Sequence, residues 1–399
     1  MLIIFIIFSF SIITIMINKR INAGLAIMSG GITLSLLSGL TFKEILLIII
    51  TTLSTGASQE LLINVVLVIT LINMMQEYGV MNKMAEYLEK LINNTKVLLF
   101  VLPSLLSTFT APGCAIVAAP ILDGLGDKVG ISQARKAAIN LYIRHVWYFV
   151  LPVSIDLLNA SYLAGFHFLE MAKAQAPITI CCLIAGYVVY IAPIKSVKTS
   201  RESCEKRSVI TWKTLFYAGP LIVILIMAFL VPFYIALITG CLFSVIIKPD
   251  KSKKLISVFK VKNYTLVFSV ACIIIFKNII DSIPGLKVMI GQVLEMGIPI
   301  WAICIVLAFL LGYISGSVQV IVGTLYPLIL HLVPENQVLA TAVLIYSVGF
   351  TGYYISPIHL CQVLTNEVFG VSLRDLYREY RFTVPVIFLS GLLTYFIMR

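Results

Sequence analysis

Apolar runs bounded by charges or by Gly and Pro recur along the whole chain, and each reads as a helix that crosses or enters a bilayer. In the first half they predict spans near 2–17, 21–40 and 60–77, a broken hairpin over 97–126, and spans near 133–160 and 176–194. In the second half they predict spans near 214–231, 233–248 and 263–281, a hairpin over 298–332, and spans near 336–364 and 381–398. Two pieces, 42–54 and 80–94, are expected along the membrane interface. The second of these has apolar residues at helical spacing and Lys83, Glu86, Glu89 and Lys90 on the other side. Charged pieces at 251–262 and 284–296 hold similar places in the second half.

Two stretches depart from the plain pattern. Residues 97–161 and 299–366 are apolar yet repeatedly broken by Pro, Gly, Ser and Thr. Such breaks free backbone N–H and C=O groups that hydrocarbon cannot satisfy, so something polar must meet them. Pro120 matches Pro327 and Pro152 matches Pro357, the separations being 152 − 120 = 32 and 357 − 327 = 30. The same order of elements in both halves predicts two repeats, 1–194 and 214–399, joined by a basic linker at 195–213. If each hairpin enters and leaves on one side, each repeat has five crossings. An odd number inverts the second repeat relative to the first. The expected fold is therefore an all-α polytopic membrane protein with about ten transmembrane helices and two re-entrant hairpins.

Charge gives an independent test of that topology. With both termini outside, 23 of the 29 Lys and Arg fall in cytoplasmic loops, including the linker, and only Lys43, Lys173, Lys287 and Arg399 fall outside. Arg144 and Lys277 lie within spans. The net charge of +11 thus reflects orientation in a cell membrane and gives no reason to expect nucleic acid. A composition of 60% hydrophobic and 12% charged residues, with mean hydropathy +1.03, excludes a soluble globule. The apolar start of the chain lacks a basic n-region and a small-residue cleavage site, and is expected to be a retained span. The eight Cys show no CxxC or His/Cys ligand spacing, so they read as small apolar fillers with no metal or disulfide framework. No cofactor is expected.

The candidate chemistry lies at the hairpin tips and breaks. A helix that starts inside the membrane presents N–H groups and a positive dipole end to an anion, while the preceding helix end presents carbonyls to a cation. Thr110, followed by Ala111-Pro112, suits the N-cap and first turn of the first hairpin's second arm, and Ser315 or Ser317 suits the second. Arg144 lies 144 − 136 = 8 positions beyond Lys136, which places it roughly 12 Å deep at about 1.5 Å per residue. A guanidinium near the middle of a ~30 Å core should face a wet cavity or a partner. One reading is a fork for a substrate carboxylate or phosphate; the other is a structural pair with Asp156. His145 and His359 flank the two breaks and, with Asp156, are candidates to carry a coupling ion. Thr351, Tyr353, Tyr354 and Ser356 offer hydroxyls to a hydroxylated anion, or simply pack the bundle. Lys277 and Asp281, four apart on one helix, read as an interfacial ion pair.

The hairpin tips Ser107-Thr108-Phe109-Thr110-Ala111-Pro112-Gly113 and Ile314-Ser315-Gly316-Ser317 carry a family resemblance. So do the breaks at Leu151-Pro152-Val153-Ser154 and from Gly349 through Pro357. The chain resembles the ion-transporter superfamily, which includes gluconate permeases, dicarboxylate and citrate symporters and the large membrane subunit of tripartite periplasmic transporters. It also looks like an uncharacterised family of predicted integral membrane proteins placed there. The Ser-Asn-Thr tip motif of the sodium–dicarboxylate members is absent from both hairpins. The resemblance implies a homodimer and a secondary transporter of a small organic anion driven by H⁺ or Na⁺. Its expected binding residues are Ser107, Thr108, Thr110, Gly113, Arg144, Ser154, Ser315, Gly316, Ser317, Thr351, Tyr353 and Ser356.

Two other readings compete with it. A cation/proton antiporter would use Arg144 to neutralise acidic groups. An intramembrane aspartyl protease would use the GxGD form of Gly124-Leu125-Gly126-Asp127, but it needs a second, facing Asp. A short cytoplasmic turn explains that motif more simply, and no enzyme activity is expected.

Overall fold

The computed structural model describes residues 2–19, 21–107, 114–195, 197, 207–250, 252, 258–259, 265–283 and 299–399. All regular structure among them is helical. The first half contains α1 (Leu2–Asn18), α2 (Ala23–Leu37), α3 (Phe42–Ser54), α4 (Gly56–Glu77), α5 (Val80–Leu91), α6 (Thr95–Leu106), α7 (Cys114–Lys128), α8 (Gln133–His145), α9 (Ile155–Ala164) and α10 (Phe168–Gly186). The second contains α11 (Arg207–Met227), α12 (Phe233–Ile247), α13 (Thr265–Asp281), α14 (Ile300–Ser315), α15 (Val318–Ile329), α16 (Glu335–Tyr354), α17 (Leu360–Phe369), α18 (Leu373–Tyr380) and α19 (Thr383–Met398).

Local chemistry sets many of these boundaries. Thr41 caps α3 in a reciprocal box with Glu44, Asn94 caps α6, Ser132 caps α8 and Ser154 caps α9. On α5, Lys83 and Lys90 hydrogen-bond Glu86 at 2.8 and 2.7 Å, which holds its carboxyl below the usual range. This helix buries Met81, Met84 and Leu88 and packs on α11.

Among the described residues, three helices are long and apolar enough to cross a membrane unaided: Gly56–Glu77, Phe168–Ile191 and Arg207–Met227. A fourth crossing is available if α18 and α19, bent by 51° at their junction, act as one span. Helices such as Ala23–Leu37 and Phe233–Ile247 are apolar but 15 residues long, about 22 Å at 1.5 Å per residue and short of a ~30 Å core. The expected long spans over 133–160 and 336–364 are each divided in two. The first runs α8, a 3-10 turn at Val146–Phe149, a break, then α9; the second runs α16, a break at 355–359, then α17.

These interruptions fall where Pro152 and Pro357 predict them. Pro120 and Pro327, by contrast, lie within the continuous helices α7 and α15. Three further differences from the sequence expectation are local. The 195–213 linker is shorter than its polarity implies, because α11 starts at Arg207 and buries Ile210. The charges at 374–381 belong to an amphipathic helix, α18, capped by Ser372 and buried through Leu376 and Tyr380. Lys277 lies over the Tyr162 ring at 5.9 Å and not against Asp281, because its stretch of α13 faces α9. The charged pieces 284–296 and most of 251–262 and 195–206 lie outside the described residues.

Packing crosses between the halves. The hairpin arms α6 and α7 lie on α8, while α7 also lies on α17; the arms α14 and α15 lie on α16, while α15 also lies on α9. The closest seam is α14 on α16, where Gly312, Gly349 and Gly352 put backbone against backbone. A Cβ on Gly352 would meet the carbonyl oxygen of Phe309 and stand 3.0 Å from the Tyr313 nitrogen, and one on Gly312 would meet Gly349 O. Small residues at such crossings are how membrane helices gain contact without a hydrophobic driving force. Gly352→Val is expected to destabilise the protein by about 1–3 kcal/mol through overpacking. The control Gly124→Ala, where a Cβ meets open space, should be neutral or slightly stabilising. Thermal unfolding in one detergent compares the two; equal midpoints would contradict the packing argument.

Candidate functional site

The two breaks meet in the interior. Arg144 and His145 close the last turn of α8, and neither has any solvent exposure. His359, at the start of α17, is 2% exposed, and its ring lies 5.0 Å from that of His145, nearly perpendicular to it. Tyr353 stacks obliquely on His359 at 4.1 Å, and Tyr148 lies 4.9 Å from His145. The Arg144 guanidinium is within electrostatic reach of Tyr353, His359 and Cys361. α16 roofs the first break through Phe350 on Phe149 at 4.7 Å and a 3.2 Å hydrogen bond from Tyr346 Oη to the Tyr148 carbonyl.

Around this centre lie three helix starts. Ser154 caps α9, and Asp156 stands in its first turn, where a carboxylate complements the dipole; it is part-buried. His359 begins α17 and Ser317 begins α15, and neither side chain caps its own helix. The second hairpin tip touches the second break. Gly316, at φ 58°, ends α14 in the left-handed conformation, and a Cβ there would stand 2.9 Å from Ile358 and 3.2 Å from Ser356 Oγ. Ser356 Oγ donates to the Tyr313 carbonyl at 2.7 Å, tying the break to α14.

The expected site residues therefore divide by position. Arg144, His145, Tyr353 and His359 come together, and Ser315, Gly316, Ser317 and Ser356 form an adjoining group. Besides Ser356, other expected hydroxyls are already engaged: Thr351 Oγ1 donates to the Ser347 carbonyl at 2.9 Å, and Ser315 Oγ to the Leu311 carbonyl at 2.5 Å. Ser107 donates to the Ser104 carbonyl at the end of α6. Thr108, Thr110 and Gly113 lie outside the described residues. Two residues at the centre are not expected from the sequence: Cys361, which reads there as an apolar filler, and Gln362, whose amide donates to the Ser356 carbonyl at 3.1 Å. A signal for the first existed in His359-Leu360-Cys361, two ligand types one residue apart.

Gly124-Leu125-Gly126-Asp127 ends α7 at an ion-pair cluster. Lys136 Nζ, on a side chain with no exposure, lies 2.6 Å from Asp123 Oδ1 and 2.5 Å from Asp127 Oδ1. A Cβ on Gly126 would stand 2.5–2.9 Å from the Lys136 stem, so this glycine makes room for the lysine. The motif thus locks α7 to the first turn of α8, at the opposite end of that helix from Arg144 and His145. Arg135, its neighbour, ties α8 to α18 through Glu379 at 2.6 Å.

Interrupted helices meeting at buried charge in an apolar helical bundle are consistent with a helical membrane protein that has an internal polar centre. A family model covers residues 2–398, and the chain belongs to that family, described as a protein of unknown function (DUF401). No curated protein matches the chain.

Lys136→Met removes both contacts at once and leaves two half-exposed carboxylates one helical turn apart, and should destabilise the protein by about 0.5–1 kcal/mol. Asp127→Asn should cost less, since Asp123 remains paired. Thermal unfolding of the two variants tests this order, and a larger loss for Asp127→Asn would contradict it.

Proposed function

We propose that the protein is a secondary active transporter of a small, carboxylate-type organic anion, coupled to H⁺ or Na⁺ and working by alternating access. The observation that carries this reading is Arg144, with no solvent exposure, at the junction of two interrupted helices. Placing a guanidinium in an apolar bundle costs about 2.5–3.5 kcal/mol on insertion scales. A charge-assisted hydrogen bond to an anion returns about 1.5–3 kcal/mol, and a bidentate carboxylate provides two. The helix starts at Ser154, Ser317 and His359 add donors of the same sign.

In this reading 1–194 and 214–399 are inverted repeats, with the hairpins re-entrant and the substrate held between their tips and the breaks. The matching element order and the packing of each hairpin's second arm on the other half's interrupted helix support it. So does the resemblance of the tips and breaks to the ion-transporter superfamily. His145, His359 and Asp156 are the candidates to carry the coupling ion. Both termini lie outside, the 195–213 linker is cytoplasmic, and the working unit is a homodimer.

Uptake of a labelled hydroxy-acid panel by proteoliposomes, under an imposed pH or sodium gradient, tests the function. Arg144→Gln is expected to reduce uptake at least tenfold while the protein stays monodisperse, and Arg144→Lys should restore little, because an ammonium lacks the guanidinium fork. If no anion enters but the pH gradient collapses on adding Na⁺ or K⁺, the protein is a cation/proton antiporter. The orientation has its own test. A variant retaining only Cys204 should react with a membrane-impermeant maleimide only after permeabilisation; reaction in intact cells would reverse the topology.

A further inference from the structure

Three side chains of metal-ligating type converge where the breaks meet. The ligand atoms of His145, His359 and Cys361 all lie within 4.8 Å of one another, and the three residues are 0%, 2% and 5% exposed. A metal ion with bonds of about 2.0–2.3 Å needs neighbouring ligand atoms about 3.4–3.9 Å apart. A small rotation of the Cys361 or His359 side chain closes the remaining gap.

His145 is prepared for such a role. Its Nδ1 lies 2.7 Å from the Leu141 carbonyl. A carbonyl only accepts, so Nδ1 carries the proton and Nε2 carries the lone pair. Nε2 is fully buried and has no hydrogen-bond partner among the described residues. A structural histidine in a dry core ordinarily uses both nitrogens. One nitrogen fixed by a backbone carbonyl and the other left as a bare lone pair is instead the arrangement of a metal-binding imidazole. The Tyr353 ring packs on His359 and limits its orientation.

We infer that His145, His359 and Cys361 form a binding site for copper(I), bridging the end of α8 and the start of α17. Softness and charge select the ion. A thiolate with two imidazoles suits soft ions, copper(I) and zinc among them. Arg144 lies beside Cys361, and its repulsion of a divalent ion is twice that of a monovalent one at the same distance. On binding, the S–H bond breaks and an S–Cu bond forms; the proton leaves to the medium, and copper stays in the same oxidation state. This inference does not depend on the transport reading, because binding is measured without a gradient, so each can fail alone.

The test is anaerobic competition of the purified full-length protein against the coloured copper(I)–bicinchoninate complex. The protein should withdraw one copper(I) per chain. Cys361→Ser and His359→Gln should each weaken the withdrawal at least tenfold, with elution volume and unfolding midpoint kept. Cys181→Ser and Cys182→Ser, at the adjacent pair on α10, should withdraw copper like the parent. Copper K-edge absorption should show one sulfur and two nitrogens in the parent and no sulfur in Cys361→Ser. Failure to withdraw copper, undiminished withdrawal by Cys361→Ser, or a shell without sulfur in the parent would overturn the inference.

Discussion

The structure depends on how it accommodates a permanently charged guanidinium inside an apolar bundle. Arg144 cannot lose its proton, so the protein around it must supply compensation. That requirement accounts for features that would otherwise be liabilities. The two interrupted helices give up backbone hydrogen bonds in the buried interior, where these are hardest to lose. In exchange they bring helix ends, tyrosine rings and imidazoles to the same point. Clamps at the far end of α8 serve the same purpose: Lys136 between two aspartates and Arg135 on Glu379 anchor the first turn of the helix whose last turn carries Arg144.

Much of the fold was legible because membrane helices announce themselves by apolar length, and because Pro and Gly mark where those helices stop. Pro152 and Pro357 located both interruptions. Charge alone was a weaker guide. The residues at 374–381 looked like loop charges because an amphipathic helix of eight residues offers little more than two turns of periodicity. Lys277 and Asp281 had the right spacing for an ion pair, but spacing on one helix says nothing about a tyrosine arriving from another.

The centre was legible in its members better than in its chemistry. Arg144, His145 and His359 stand out in sequence because polar residues in apolar runs are few. That His145 and His359 lie ring to ring is a tertiary fact that no local pattern encodes. Cys361 shows the reverse problem. Cysteine is common in buried helices as a small apolar residue, so its type carried no information until its neighbours were known. The GxGD motif was ambiguous in the same way: the glycine clears space for a lysine stem and the aspartate answers that lysine's charge.

The glycine seam between α14 and α16 has a mechanical consequence. Where backbone rests on backbone, no side-chain rotamers are available to absorb sliding, so the two helices form one stiff lever. Ser356 extends that lever past the end of α16 by gripping the Tyr313 carbonyl on α14. The short run from Pro357 to His359, on the far side of the grip, is itself tied back to the Ser356 carbonyl by the His359 N–H and the Gln362 amide, each at 3.1 Å. The lever therefore continues without a slack joint to His359, whose imidazole meets that of His145 in the other half across 5.0 Å.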